Sequence, residues 1–394
     1  MSLPTYSKRL PSGLAQNRHS LAISEQRRRG TALLDLTVSN PTECFETYPH
    51  SAINNALSQV RSFRYAPDPL GDLEARRAVC DYYKARHVTV SPEQIILTAS
   101  TSEAYSYLFK LLCDPGDEVL IPIPSYPLFT YLGALESITT ISYKMVYDGA
   151  WYLDFGSLRQ AISPRTKAIV TVNPNNPTGT LLNPAERDQL LEIARKHELA
   201  IISDEVFADY NLGAKPFTAT SLVGTTSAVS FVLNGLSKAA GMPQMKLAWI
   251  VLNGPKEERH GAMERLEVIA DTYLSVGTLV AKALPQLLAI GSKIRDEILG
   301  RVRSNLALLD AHLASAAAHR LHLDAGWSAM VQVPETQSEE EWVMGLIQEH
   351  SVVTQPGYFF DTDRGAYLVL SLITPPGVFE NGVERIRAYV ANHS

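Results

Sequence analysis

Ala168-Ile169-Val170-Thr171-Val172-Asn173-Pro174-Asn175-Asn176-Pro177-Thr178-Gly179 is an apolar, β-branched run that stops on two prolines and a glycine. The run does not alternate apolar with polar, so it predicts a strand buried on both faces. The prolines and glycine fix the backbone of a tight turn, and the asparagines bring donors and acceptors to the end of the strand. A helical stretch from Pro184 to about His197 follows, and then a second buried run, Ala200–Ser203. Strand, helix and strand in that order predict parallel pairing.

Working outward, the same rhythm continues. Upstream, Gln94–Ala99 leads into a helix through Leu112, and Glu118–Ile123, Ile138–Met145 and a helical stretch around Phe155–Ile162 follow. Downstream lie Val229–Leu233 and Leu247–Leu252. The fold class is therefore α/β, a mostly parallel sheet flanked by helices, and such sheets hold ligands at the carboxyl ends of their strands. Beyond it, Lys256–Ala317 reads as a long helical region with a break at Pro285. Strand-like pieces at Met330–Val333, Val352–Gln355 and Tyr367–Leu372 and a closing helix from Asn381 then predict a smaller α+β domain.

Composition supports this frame and excludes several classes. The chain has 394 residues, 45% apolar and 19% charged, which suits a two-domain protein with a sizeable core. A net charge of −6 shows no basic excess, so no nucleic-acid partner is expected. Cys44, Cys80 and Cys113 are too few and too scattered for a disulfide framework or a zinc site, and read as free thiols in a reducing compartment. No stretch approaches a membrane span and no signal peptide is visible, so a cytoplasmic protein is expected. His319-x-x-His322, at the end of a helical stretch, has no third ligand nearby, and no metal is expected.

The chemistry gathers where the strands end. After Gln94–Ala99 come Ser100, Thr101 and Ser102, hydroxyls opening a helix whose free N–H groups suit a phosphate. After Ala200–Ser203 come Asp204 and Glu205. After Val229–Leu233 comes Asn234-Gly235-Leu236-Ser237-Lys238, where burial at the sheet rim would lower the lysine pKa and make its amine nucleophilic. Each feature alone has a plain structural reading as a cap, a solvated strand end or a surface lysine. Together they set an anion site, an amine, a carboxylate and an amide on one edge of one sheet.

With these residues the sequence resembles the class I/II aminotransferases of fold type I, which use pyridoxal 5′-phosphate. The resemblance runs from about Asp35 to the C-terminus. It rests on Asn175-Asn176-Pro177-Thr178-Gly179, on Ser203-Asp204-Glu205-Val206-Phe207, and on Ser237-Lys238 with Lys246 eight residues on. It implies a large cofactor domain over residues 45–275 and a small domain from 1–44 plus 276–394. It also implies amino-group transfer from a small-molecule amino donor to a keto-acid acceptor, by a ping-pong mechanism through a Lys238 aldimine.

Residue by residue, the resemblance gives Lys238 the covalent link and the proton shuttle, and sets Asp204 against the pyridinium nitrogen. Asn176 would donate to the phenolate oxygen, and Tyr126 would stack on the ring. Ser100, Thr101, Ser102, Ser237 and Lys246 would hold the phosphate. Tyr65, in Tyr65-Ala66-Pro67-Asp68-Pro69-Leu70-Gly71, would cross to the partner's cofactor in a homodimer. Ser39 and Asn40 are candidate substrate contacts.

Three positions depart from the family pattern. Phe207 replaces a tyrosine and so lacks one hydrogen bond to the phenolate, and Lys246 replaces an arginine. Val369 stands where the family carries the arginine that pairs with a substrate carboxylate. Either Arg364 or Arg18 takes that task, or the substrate is an amine or a modified amino acid. A lyase or decarboxylase on the same scaffold is the alternative reaction. A regulator's non-catalytic domain is a further reading, set back by the roughly 40 residues ahead of the family-like segment, fewer than a DNA-binding module needs.

Overall fold

The computed structural model describes residues 7–10, 15–45, 48–62, 64–213 and 216–393. A short strand β1 (Leu34–Asp35) precedes the large sheet. That sheet comprises β2 (Ile95–Thr98), β3 (Glu118–Ile123), β4 (Thr139–Tyr147), β5 (Trp151–Leu153), β6 (Thr166–Val172), β7 (Ala200–Asp204), β8 (Ser230–Gly235) and β9 (Ala248–Asn253). The remaining strands are β10 (His319–Arg320), β11 (Ser328–Val333), β12 (Val352–Val353), β13 (Gln355–Pro356) and β14 (Ala366–Ser371).

The large sheet has the order β2-β9-β8-β7-β6-β3-β4-β5. Strands β8, β7, β6, β3 and β4 run parallel, while β9 is antiparallel to both β2 and β8, and β5 is antiparallel to β4. Both faces of the central strands are buried, with a period of two along each. Ile169, Ile201, Val232 and Val251 face one core, and Val170, Ile202, Phe231 and Ile250 face the other. The first core is closed by the helices Leu73–Lys84, Pro184–Lys196 and Thr278–Leu313, the second by Thr101–Leu112 and Lys256–Asp271. Continuous β-branched runs are what such doubly covered strands require.

A four-stranded antiparallel sheet, β10-β11-β14-β13, forms the C-terminal part. The N-terminal segment joins it: Leu34 and Asp35 pair in parallel with Val352 and Val353, and the Ser371 amide donates to the Leu36 carbonyl at 2.7 Å.

Four expectations for this region need correction. The helical stretch breaks at 272–277, where Leu274 takes a positive φ of 46° and Gly277 caps the next helix, and Pro285 lies inside Thr278–Leu313. Pro285 is exposed, and packing of that long helix against several neighbours outweighs the lost backbone bond. The Val352–Gln355 run is two strands, β12 with β1 and β13 with β14, because Thr354 turns the chain from one sheet to the other. The closing helix starts at Pro376, five residues ahead of Asn381, with proline's fixed φ suiting a first turn. His319 lies in β10 and not on a helix, and His322 faces Asp324 at 3.2 Å. Among the described residues no helix is long and apolar enough to cross a membrane.

Candidate active site

The antiparallel course of β9 sets the start of that strand on the same edge as the ends of β2, β3, β6, β7 and β8. There a cavity of about 650 Å³ opens between the large sheet and the β11–β14 region. Ser100, Thr101 and Ser102 line it from the start of the helix after β2, and Tyr126 from the loop after β3. Asn176 enters from the loop after β6, Asp204 is the last residue of β7 and Phe207 follows it, Ser237 and Lys238 follow β8, and Lys246 leads into β9. Ser39 also lines the cavity.

Four named candidates lie elsewhere. Asn40 caps the helix Pro41–Cys44, its Oδ1 accepting from the Thr42 amide at 3.1 Å and its amide donating to Glu43. Arg364 lines a separate cavity of about 330 Å³ beside Lys144, Tyr147 and Asp363. Tyr65 is 75% exposed and borders a third cavity, of about 280 Å³. Arg18 is likewise outside the Lys238 cavity, paired with Glu340 at 2.8 Å on the surface.

Burial dominates the electrostatics of the central pair. It pushes the Lys238 amine down to about 8, and the negative charge of Asp204 opposes that fall. Burial pushes Asp204 up to about 6, opposed by the Val206 amide, the Tyr105 hydroxyl and Lys238. The Tyr105 hydroxyl donates to Asp204 Oδ2 at 3.2 Å and the Val206 amide to Oδ1 at 3.2 Å. Glu205, next in sequence, turns away from the cavity. Its carboxylate accepts from Ser203, Ser221 and the Leu222 amide, and so fixes the loop after β7.

The turn after β6 is built by its own side chains. Asn173 donates to the Thr220 carbonyl at 2.8 Å and accepts from the Leu182 amide at 3.0 Å. Thr178 Oγ1 donates to Asn175 Oδ1 at 2.9 Å. Gly179 needs its lack of a side chain twice over. Its φ is +66°, and a Cβ there would sit 1.8 Å from Leu323 Cδ1 and 2.5 Å from the Ala325 carbonyl. Its carbonyl accepts from the amides of Asp324 and Ala325, at 3.1 and 2.9 Å, which fastens the turn to the loop ahead of β11.

That loop supplies a residue that strand-end reasoning missed. Trp327 lines the cavity with its ring centre 4.4 Å from Lys238 Nζ, and packs edge-on against Phe207 at 5.0 Å. Ser328 beside it donates to Asn176 Oδ1 at 3.3 Å. Tyr210 donates to the Lys238 carbonyl at 2.7 Å. Beneath these, the buried Asp209 accepts from Tyr82 at 2.8 Å and from Arg86 Nε at 2.9 Å. Arg295 faces Asp209 and also donates to the Ala239 carbonyl, so a buried ionic cluster holds the short helix that carries Lys238. Tyr105 had a usable signal, since it lies one helical turn after Ser102. Trp327 had none, because its neighbours are set by the docking of two distant segments.

The donor set fits pyridoxal 5′-phosphate. The first amides of Thr101–Leu112 have no partner within the helix, and hydroxyls of Thr101, Ser102 and Ser237 and the amine of Lys246 surround them, as a phosphate requires. A buried carboxylate and a buried amine of lowered pKa lie in the same cavity. Ser100 contributes mainly as the cap, its Oγ accepting from the Glu103 amide at 3.2 Å.

Residues 32–386 match the family described as aminotransferase class I and II, and the chain belongs to that family, whose members depend on pyridoxal 5′-phosphate. It is similar to the glutamate-pyruvate aminotransferase AlaA of Escherichia coli K12, 32% identical over 247 residues, which is 62% of this chain and 60% of the relative. The alanine aminotransferase of Mycobacterium tuberculosis H37Rv is 30% identical over 273 residues, 68% of this chain and 63% of the relative. The matched part thus spans about three-fifths of these relatives' length. Among solved structures, an alanine aminotransferase from Pyrococcus furiosus superposes with a TM-score of 0.89 at 23% identity, covering 98% of this chain and all of that one. At that identity the likeness concerns the fold, which is the mostly parallel α/β arrangement expected from the sequence.

Proposed function

We propose that this protein is a pyridoxal 5′-phosphate-dependent aminotransferase that moves an amino group between a small-molecule amino donor and a keto-acid acceptor. The observation that carries the reading is the pairing, in one cavity, of a buried lysine pushed down to about 8 with a buried carboxylate at a strand end. The bound cofactor supplies an aldehyde to take up the nitrogen and a ring to accept electrons. Lys238 offers the nucleophilic amine and carries the proton between the substrate carbon and the cofactor. Asp204 holds a proton on the ring nitrogen, Asn176 donates to the ring oxygen, and Tyr126 covers the ring. Ser100, Thr101, Ser102, Ser237 and Lys246 bind the phosphate, with Phe207 and Trp327 walling the amine.

The active unit we infer is a homodimer. Tyr65 is a large, exposed aromatic outside its own chain's Lys238 cavity, which suits a residue that serves a partner's site. A cytoplasmic location agrees with three free cysteines. The test is the visible spectrum of the purified protein and of Lys238→Ala, with amino transfer and release of ammonia or carbon dioxide followed in parallel. A cofactor band that depends on Lys238, together with transfer and no release, is the expected result. Release without transfer would establish the lyase reaction instead.

A further inference from the structure

Tyr105 is a polar residue shut inside the core that the helices Thr101–Leu112 and Lys256–Asp271 close. It is 3% exposed, with its ring set edge-on to Phe129 at 5.3 Å and tilted against Phe109 at 5.9 Å. A buried phenol needs a hydrogen-bond partner. Among the described residues its hydroxyl has one, Asp204 Oδ2, at 3.2 Å.

The helix that carries Tyr105 serves both ends of the cofactor site. Its first residues, Thr101 and Ser102, line the cavity where the phosphate is expected. Tyr105 lies one turn further on, against the carboxylate expected to meet the ring nitrogen. One rigid element thus sets the spacing between the two.

The oxygens of Asp204 are held differently. Oδ1 accepts from the Val206 amide at 3.2 Å, within its own loop, while the donor to Oδ2 comes from another element altogether. The other titratable groups that act on Asp204 are Lys238, Tyr126 and Glu205, and none of them is hydrogen-bonded to it. Burial favours a neutral carboxyl and pushes Asp204 up to about 6. A hydroxyl that donates to the carboxylate works the other way, because it favours the charged form. A proton shared between a ring nitrogen and this carboxylate therefore stays more readily on the nitrogen while Tyr105 donates. A protonated ring is the better electron acceptor.

Resting on the aminotransferase reading above, we propose that Tyr105 is a positioning residue for the reaction, its hydroxyl keeping Asp204 ionised and the shared proton on the cofactor's ring nitrogen. It acts through Asp204 and takes no part in bond making.

The test loads wild type and Tyr105→Phe with pyridoxal 5′-phosphate labelled at the ring nitrogen and reads that nitrogen by NMR. Phenylalanine keeps the ring contacts with Phe109 and Phe129 and removes the donor alone. The wild-type signal is expected at the pyridinium position and the variant's is expected to move toward neutral pyridine. Loss of one donor changes the proton affinity of a charged group by about tenfold. The first half-reaction across the common α-amino acids gives a second readout, in which kcat is expected to fall by about tenfold with KM little changed. A meta-fluorotyrosine at position 105 keeps the hydroxyl and donates more strongly, so its signal is expected at or beyond the wild-type position. An unchanged nitrogen signal in Tyr105→Phe would overturn the proposal, as would a move toward pyridine with the fluorotyrosine. Failure of the wild type to take up the cofactor would overturn the proposal and the reading together. Should no amino acid react while the nitrogen signal still moves, the role of Tyr105 stands and the aminotransferase reading falls.

Discussion

The hydroxyl of the fully buried Tyr210 and the backbone carbonyl of Lys238 are joined by a 2.7 Å hydrogen bond. The bond ties the loop after β7 to the helix that follows β8, so the carboxylate strand and the lysine strand are braced against each other. Tyr210→Phe keeps the ring contact with Trp327, 5.1 Å between centres, and deletes only the donor. It is expected to cost about 1–3 kcal/mol in urea unfolding, since the Lys238 carbonyl loses its partner in a dry site. An unchanged midpoint would show that the bond contributes nothing.

Lys238 also sets a pH dependence in the cofactor-free protein. Its amine titrates at about 8 when folded, against an ordinary 10.5. Between those values the unfolded chain binds more protons than the folded one, so this group makes stability rise with pH from about 8 to 10.5. Below about 8 the full cost of burying the ammonium is present. Lys238→Met removes that cost, and its stability lead over the wild type is expected to be of order 1–3 kcal/mol at pH 7 and to shrink by about pH 10.5. Urea midpoints measured across that range check it.

At Gly179 the expected effect is large and purely steric. Alanine there must hold a φ of +66° and meet Leu323 and the Ala325 carbonyl. Gly179→Ala is expected to destabilise the protein by about 2–4 kcal/mol and to weaken cofactor retention, because the same turn carries Asn176. Thermal unfolding and dialysis of the loaded enzyme report the two effects separately.

Phe207 offers a spectroscopic test. Its ring lies 5.5 Å from Lys238 Nζ, and a hydroxyl added to it would supply a donor for the cofactor's ring oxygen. A donor to the charged form favours that form, so Phe207→Tyr is expected to lower, by about one pH unit, the midpoint at which the bound cofactor changes colour. Coincident titrations in wild type and variant would exclude such a contact.

Much of the site was legible because its chemistry follows directly on apolar runs. Asn176, Asp204 and Lys238 each stand within four residues of the end of a buried strand, and a parallel sheet brings such ends to one edge. What escaped depends on distant docking. Trp327 and Tyr210 acquire their neighbours only when the 324–326 segment pairs with residues 210–212. Arg364 sits near β14 in sequence and still opens into a different cavity, since the hairpin ahead of the strand points it toward Lys144 and Asp363. Pro285 misled for the opposite reason: a local rule about helices yielded to long-range packing.

The double acceptance at the Gly179 carbonyl has a consequence for altering this enzyme. Asn176 rides on the turn and Trp327 on the loop bolted to it, so a change in either reshapes the lysine's surroundings as one rigid block. The wall of β13 and β14 is joined to that block by backbone bonds, and its inward side chains, Val369 and Gln355 among them, form no part of the clamp. A change at Gly179 is therefore felt at Asn176 and at Trp327 together, on both sides of Lys238.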